Sequence, residues 1–455
     1  MILVINTCDR EIIERAATTD CCLKTMKIGT SSESRVSRES VAIQWPDRDP
    51  VASRPKLALV RPAPVGSMIP VVAVGNQLNT LGVVRSLARS GIPVFVASDT
   101  RFCEVGFSRF CTLVRVPGLS DRALVDGLKL VARQVGQKAV LLLSGDRQVK
   151  AVSEAREELE PLFFLRLPPA ATVQLLNDKA KFQTYAEQVG LPVPRAAILE
   201  CGNDGDALAS LSMPVVLKPA DKTLMIDGPV ERPVRVETLP EATKEAARLH
   251  RDASCVVAQE WIDGEDDDIY FTLFVCGSQT GISALFSGRK VICDPPKVGI
   301  TALCIAAGEE HRQLADLTRH FIEQVRYEGI GGLEFKRDRR TGRFVIVEPT
   351  VGRTDWQSEI ATLCGINIPV IAYWTALGHS AQPQAQNNHL VAWRSSAAYG
   401  PRAGALARGT RVVDGYFRWS DPLPGIYYYA ISAFLLRALR YARRLVRSGW
   451  AYALR

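Results

Sequence analysis

Two glutamates pose the first chemical question. Glu334 lies in GGLEF and Glu348 in RFVIVEP, and an unpaired carboxylate inside strands that apolar costs several kcal/mol or is neutralised. The intervening DRRTG suits a hairpin loop. With Arg337 facing Arg343, Glu334 stands opposite Ile346 and shares a face with Glu348, its diagonal neighbour. Two hard oxygen ligands on one patch suit magnesium, which takes one or two carboxylates and completes its octahedron from water and substrate phosphates. Manganese accepts the same donors. The alternative is a pair of ordinary strand acids held by Arg or Lys partners.

The surrounding elements follow from periodicity. From Pro70 the chain alternates: VVAVG is a buried strand, a helix carries Leu81, Val84, Leu87 and Ala88 on one face, and IPVFVAS is a second strand. Strands at 113–116 and 139–143, with the helix LVDGLKLVARQ between them, continue a parallel α/β sheet to about residue 150. The turn GNQLNTLG lacks the GxGxxG spacing of a dinucleotide site and reads as a structural turn. A helix over DKAKFQTYAEQVG stops at Gly190. MPVVLKP, VVAQEW and IYFTLFV read as strands, and Leu314, Leu317, Phe321 and Val325 mark a helix over 310–326. The expected class is α/β followed by α+β.

The order of these pieces, more than any one of them, is specific. Asp178-Lys179 opening a helix, Lys218 in VVLKP, the stretch QEWIDGED, then Glu334 and Glu348 on successive strands resemble the ATP-grasp superfamily over roughly residues 70–380. Within it the chain looks most like carboxylate–amine ligases related to D-aspartate ligase and the carbamoyl-phosphate synthase large chain. The resemblance implies an N-terminal parallel α/β domain (68–165) before a two-lobed ATP-grasp fold (166–380), with a C-terminal extension (381–455). It implies ATP and Mg2+ as cofactors. Lys179 and Lys218 would contact phosphates, with Gln259, Glu260, Trp261 and Ile262 forming the hinge. There Glu260 would accept from the adenine amino group and the backbone of Trp261 and Ile262 would complete the base contacts. An acid of the turn Glu265 to Asp268, with Asp266 favoured by its position after the hinge, would take the ribose hydroxyl, and Glu334, Glu348 and Thr350 the metal. Arg289 and Lys290, or Arg353, would hold the substrate carboxylate or the transferred phosphoryl group.

Two departures stand beside the match. The superfamily's last metal motif is Glu-x-Asn-Pro-Arg, whereas this chain has EPTVGR, with a Thr350 hydroxyl in place of an amide. The loop ADKTLMIDGPVERP after Lys218 carries one glycine, Gly228, where relatives have several. The implied activity is activation of a small-molecule carboxylate as an acyl phosphate for attack by an amine. The rivals are a bicarbonate-activating carboxylase and a non-catalytic nucleotide sensor at a membrane.

Totals limit the partners. The chain has 455 residues, 47% hydrophobic and 23% charged, with a formal net charge of +8, which describes a multidomain globular protein. Its basic residues concentrate at the end, in AISAFLLRALRYARRLVRSGWAYALR, where Arg437, Arg440, Arg443, Arg444 and Arg447 accompany Phe434, Leu435, Leu439 and Trp450 without an acid. That pattern fits a helix on an anionic membrane or on a partner helix, or a docked helix with a solvated basic face; nucleic acid is not expected. Eleven cysteines without a CxxC pair read as reduced thiols. No apolar run reaches the roughly 20 residues that span a bilayer, and acids interrupt the start, so a cytoplasmic protein is expected, with peripheral contact at the inner membrane face as an option. Residues 1–67 read as a disordered leader, or Met68 lies near the native start.

Overall fold

Short runs of branched aliphatic residues build the first layer. Strands β1 (Val71–Val74), β2 (Val94–Ser98), β3 (Thr112–Arg115), β4 (Ala139–Leu142) and β5 (Phe163–Phe164) form a parallel sheet in the order β3-β2-β1-β4-β5. Every residue of β1 is buried, as expected for a central parallel strand covered on both faces. In this computed structural model the described residues are 68–200, 204–221, 233–277, 281–380, 384–387, 390–395 and 406–432. The expected leader, most of the loop after Lys218 and the arginine-rich end lie outside them.

Because β2 and β4 leave β1 on opposite sides, the strand order reverses at the carboxyl ends of β1 and β4. Gly75 turns there with φ +136°, and a Cβ on it would lie 2.3 Å from Thr80 Oγ1 and 2.4 Å from Ser144 Oγ. Only glycine fits so close an approach. The turn is filled by protein side chains, as a structural reading requires.

The second layer is an antiparallel sheet of β6 (Ala196–Glu200), β7 (Val215–Pro219), β8 (Val234–Val236) and β9 (Cys255–Glu260), ordered β6-β9-β7-β8. Val215, Leu217, Val256 and Ala258 pack on one face with Leu208, Ala242, Ala246 and Leu249 of the helices Asp204–Ala209 and Leu239–Leu249. Alternation places Lys218, Val257 and Gln259 on the opposite face. Against that face packs the helix Lys179–Gln188, through Ala180 on Val257 and Ala220. Its N-cap Asp178 accepts from the amides of Ala180 and Lys181, and Gly190 follows its end with φ +73°.

The third layer has seven strands: β10 (Ile269–Gly277), β11 (Gly281–Asp294), β12 (Ile300–Ala306), β13 (Gly329–Arg337), β14 (Phe344–Val351), β15 (Val391–Arg394) and β16 (Arg411–Asp414). They are ordered β14-β13-β10-β11-β12-β15-β16. Tyr270, Phe274, Leu333, Phe335 and Ile346 on one face join Leu314 and Phe321 of the helix His311–Val325. Phe271, Leu273, Val275 and Ile330 on the other face join the helices Leu78–Ala88 and Ile368–Ala376.

The region expected as a separate extension from 381 continues this sheet instead, since β15 pairs with β12 and β16 with β15. Strands of four residues are too short to show a period in sequence. The segment is also pinned to the first layer. Arg85 donates to Asp421 Oδ2 at 3.0 Å and to the carbonyls of Gly415, Tyr416 and Asp421, and both charged side chains are buried. No helix among the described residues is long and apolar enough to cross a membrane. Removing one partner of a buried ion pair costs about 3–5 kcal/mol, so Asp421→Ala is expected to lower the urea-unfolding free energy by that amount. A loss below about 1 kcal/mol, within surface-pair range, would show the pin to be dispensable.

Candidate active site

Glu334 and Glu348 stand directly opposite each other on β13 and β14. Pairing runs Arg337 with Phe344, Lys336 with Val345 and Phe335 with Ile346, then steps to Glu334 with Glu348, which leaves Val347 as the extra residue of a β-bulge. This corrects the expected register, in which Arg337 faced Arg343 and Glu334 faced Ile346. The bulge reverses the alternation of β14. Ile346 is fully buried beside Phe335 on the side of the helix His311–Val325, whereas Glu348, two residues on, shares Glu334's face. Simple alternation reaches the same shared face by another route.

Nor are these carboxylates sunk in the core, for their side chains are 34% and 41% exposed. The buried members of the cluster are their lysine partners. Lys290 Nζ lies 2.6 Å from Glu334 Oε2, and Lys179 Nζ 3.8 Å from Glu348 Oε1, with both lysine side chains under 10% exposed. Like charges directly across a sheet repel, and the two ammonium groups offset that. Burial disfavours the charge on Lys290, yet Glu334, Cys293 and Asp355 together hold its pKa above the ordinary value.

Period-two geometry separates two residues expected together. Lys290 shares a face with Glu334, but Arg289 pairs with Tyr270 and lies on the opposite face. Tyr270 donates to Glu310 Oε1 there at 2.8 Å. Burial pushes the Glu310 carboxyl up, but a backbone amide, Tyr270, Arg289 and Arg337 bring it below its usual value. Arg289 therefore does not join the glutamates.

Lys218 is buried on the face of the second sheet that meets the helix opened by Lys179. The Lys179 amide donates to Ala220 O at 2.8 Å, just beyond the end of β7. One helix start and one strand end thus present both lysines on the same side of this lobe.

The hinge differs in detail from expectation. Gln259 donates to Gln183 Oε1 at 2.8 Å. The Glu260 carboxylate accepts from Ser212 N at 2.8 Å and lies 3.8 Å from Arg195, so it is engaged within its own sheet. The Trp261 amide donates to Pro214 O at 2.9 Å. Its ring carries Arg235 at 4.6 Å and Lys336 at 5.6 Å. Ile262 follows in the connection to β10, outside any strand.

Asp266, the expected ribose acceptor, uses both carboxylate oxygens on the amides of Cys293 and Lys297, at 2.9 and 2.5 Å. It anchors the turn after β11. Asp268 is buried against Arg337 and Arg339. Asp267, 3.0 Å from Arg339, and Glu265, 2.8 Å from Lys297, are the half-exposed acids of this turn.

Thr350 pairs with Gly332 and lies on the glutamates' face, half-buried. Arg353, by contrast, is engaged in a two-pronged pair with Asp146, at 2.6 and 3.0 Å. The next residue, Thr354, donates its hydroxyl to Asn79 Oδ1 at 2.6 Å and its amide to Leu143 O at 3.1 Å. The segment after β14 thus fills the crevice at the carboxyl ends of β1 and β4. Asp146, Asn79 and Asp355 carried no sequence signal, because their partners lie far away or in a loop without period.

No group of three or more His, Cys, Asp or Glu side chains that could hold a metal exists among the described residues. Two opposed, accessible carboxylates and a threonine hydroxyl are a donor set for magnesium completed by water and phosphate, rather than a self-sufficient cage.

No family model matches the chain. It is 22% identical over 316 residues to a D-aspartate ligase of Enterococcus faecium, covering 66% of this chain and 74% of the relative. It is 28% identical over 188 residues to a D-alanine--D-alanine ligase of Ectopseudomonas mendocina, spanning 40% of this chain and 58% of that one. Among solved structures it is similar to a biotin carboxylase complex from Campylobacter jejuni, with TM-score 0.55, 14% identity, and 70% and 74% of the two chains covered. In sequence and in fold the chain is thus similar to ATP-grasp ligases.

A hydrogen bond to a charged group contributes about 1.5–3 kcal/mol, and a buried charge left without its partner costs more. Glu334→Leu, which strands the Lys290 ammonium, is therefore expected to destabilise the fold by at least about 2 kcal/mol. Adding Lys290→Met should restore most of that. Additive losses in the urea-unfolding double-mutant cycle would show that the two side chains do not interact.

Proposed function

We propose that the chain is an ATP- and Mg2+-dependent ligase that joins a carboxylate to an amine through an acyl phosphate. The observation that carries the reading is the opposed pair Glu334 and Glu348 with Lys290 and Lys179 as counter-charges. The likeness to relatives named D-aspartate ligase and D-alanine--D-alanine ligase favours an amino acid as one substrate.

In this reading the triphosphate lies between the second and third sheets, with Lys179 and Lys218 on its oxygens as point charges. The base takes its contacts from the Trp261 carbonyl and the Ile262 backbone, since the Trp261 amide donates to Pro214 O and Ser212 N engages Glu260 Oε1. Glu334, Glu348 and Thr350 would hold magnesium, which supplies charge neutralisation between the terminal phosphates. Lys290, already charged and buried beside Glu334, steadies the substrate carboxylate or the phosphoryl oxygens as charge develops on them. The carboxylate oxygen bonds to the γ-phosphorus as the bond to ADP breaks. The amine nitrogen then bonds to the acyl carbon, phosphate leaves with its electron pair, and the amine proton passes to solvent or phosphate. Positioning and fixed charge suffice, with no covalent enzyme intermediate.

A coupled ADP-release assay over a panel of carboxylates and amines, D- and L-amino acids included, tests this. Release is expected only when Mg2+, a carboxylate and an amine are present together. Lys218→Ala and Glu348→Ala should each lower it roughly a hundredfold or more with an unchanged far-UV spectrum. Turnover retained in both variants would refute the assignment.

A further inference from the structure

Lys336 takes no part in the ion pairs around the two glutamates, although it is buried on their face of β13, two residues from Glu334. Its ammonium donates to the carbonyls of Gly264 at 3.1 Å and Glu265 at 2.9 Å and lies 5.6 Å from the centre of the Trp261 ring. Among the described residues it forms no ion pair. Glu334 is taken by Lys290, both oxygens of Asp266 by backbone amides, and Asp268 by Arg337 and Arg339. Glu265 and Asp267, on the half-exposed rim, turn to Lys297 and Arg339. Gly264 brings the turn down onto this lysine, for a Cβ there would lie 3.0 Å from Lys336 Cε.

An ammonium carries three N–H donors. Two of those of Lys336 meet carbonyls, and the third meets no acceptor among the described residues, a costly state for so buried a group. Burial lowers the pKa of Lys336, while Asp268, Cys293, Asp266 and Glu334 oppose the shift from beyond ion-pair distance. Because carboxylates already offset the charge at longer range, the missing partner need not be an anion. A neutral oxygen acceptor completes the group.

Position says whose oxygen that is. Lys336 pairs with Ile269, at the start of β10 beside the hinge connection, whereas Glu334 pairs with Phe271. Lys336 thus stands about 7 Å along the strand from Glu334, toward the hinge. A nucleotide with its base at Trp261 and Ile262 and its phosphates at Glu334 and Glu348 carries its sugar across that interval. We infer that Lys336 reads the sugar of the nucleotide, its third N–H donating to a ribose hydroxyl oxygen; the inference rests on the ATP-dependent reading above. The bonds to Gly264 and Glu265 aim the ammonium, and Lys336 sets the preference for a hydroxylated sugar.

Titration calorimetry with Mg2+ and either ADP or dideoxy-ADP, which lacks both ribose hydroxyls, tests this. The wild-type chain should bind the dideoxy nucleotide roughly tenfold more weakly than ADP. Lys336→Met, which keeps the apolar stem, should bind ADP about as weakly, and removal of the hydroxyls should then cost little more. A variant that loses the same factor on both nucleotides would make Lys336 a strut of the turn and overturn the inference. A wild-type chain that binds both equally well would overturn it too and leave the ligase reading standing, whereas one that binds neither would overturn both. A second measurement needs no variant. The dialdehyde that periodate makes from the ribose of ADP, fixed by borohydride, should label Lys336, and ADP should block the labelling. Label confined to other lysines would contradict the assignment.

Discussion

Two carboxylates facing each other across a pair of strands are the constraint around which the site is organised. Left alone they would repel. They stand together because Lys290 reaches Glu334 from the same sheet and Lys179 approaches Glu348 from the start of a helix in the neighbouring lobe. The lysines need the arrangement as much as the glutamates do, since a buried ammonium without a counter-charge is costly. The result is a small, charge-balanced square that is partly open to solvent. In the function proposed above, a divalent cation and a triphosphate would exchange into this cluster, metal for ammonium on the acids and phosphate for carboxylate on the lysines.

A single inserted residue makes this possible. Without the bulge at Val347, β14 could not both bury Ile346 under the helix His311–Val325 and turn Glu348 toward Glu334. Strands that close a core on one face and build a site on the other need some device to switch faces, and a bulge does so at the cost of one unpaired residue. The segment immediately after β14 is tied to the parallel sheet through Arg353 with Asp146 and Thr354 with Asn79. The strand that carries Glu348 is therefore braced at its far end by a different layer of the fold.

Much of this was legible from sequence, for reasons that can be named. Long elements with a strong period, such as the helix His311–Val325 and the strand Ile269–Gly277, follow from the spacing of their apolar residues. Glu334 and Glu348 stood out because carboxylates in apolar strands need a partner, whereas Lys179 and Lys218 were picked out only by the order of segments that resembles the ATP-grasp superfamily. What was not legible is local. Arg289 was grouped with Lys290 although neighbours on a strand point to opposite faces. Glu260, Asp266 and Arg353 are engaged by Ser212, by the backbone of Cys293 and Lys297, and by Asp146. Each of those partners is distant in sequence and supplied by the tertiary fold, so no local pattern announces it. Strands β15 and β16 are too short to show a period.

The most direct measurement of the central claim is a titration of Mn2+, standing in for magnesium, followed by electron paramagnetic resonance with and without a non-hydrolysable ATP analogue. If the opposed glutamates are completed by phosphate oxygens, Mn2+ binds weakly to the protein alone and tightly with the analogue, and Glu334→Gln with Glu348→Gln in one chain removes the tight site while the fold persists. Equal Mn2+ affinity with and without nucleotide, or an undiminished site in the doubly substituted protein, would contradict it.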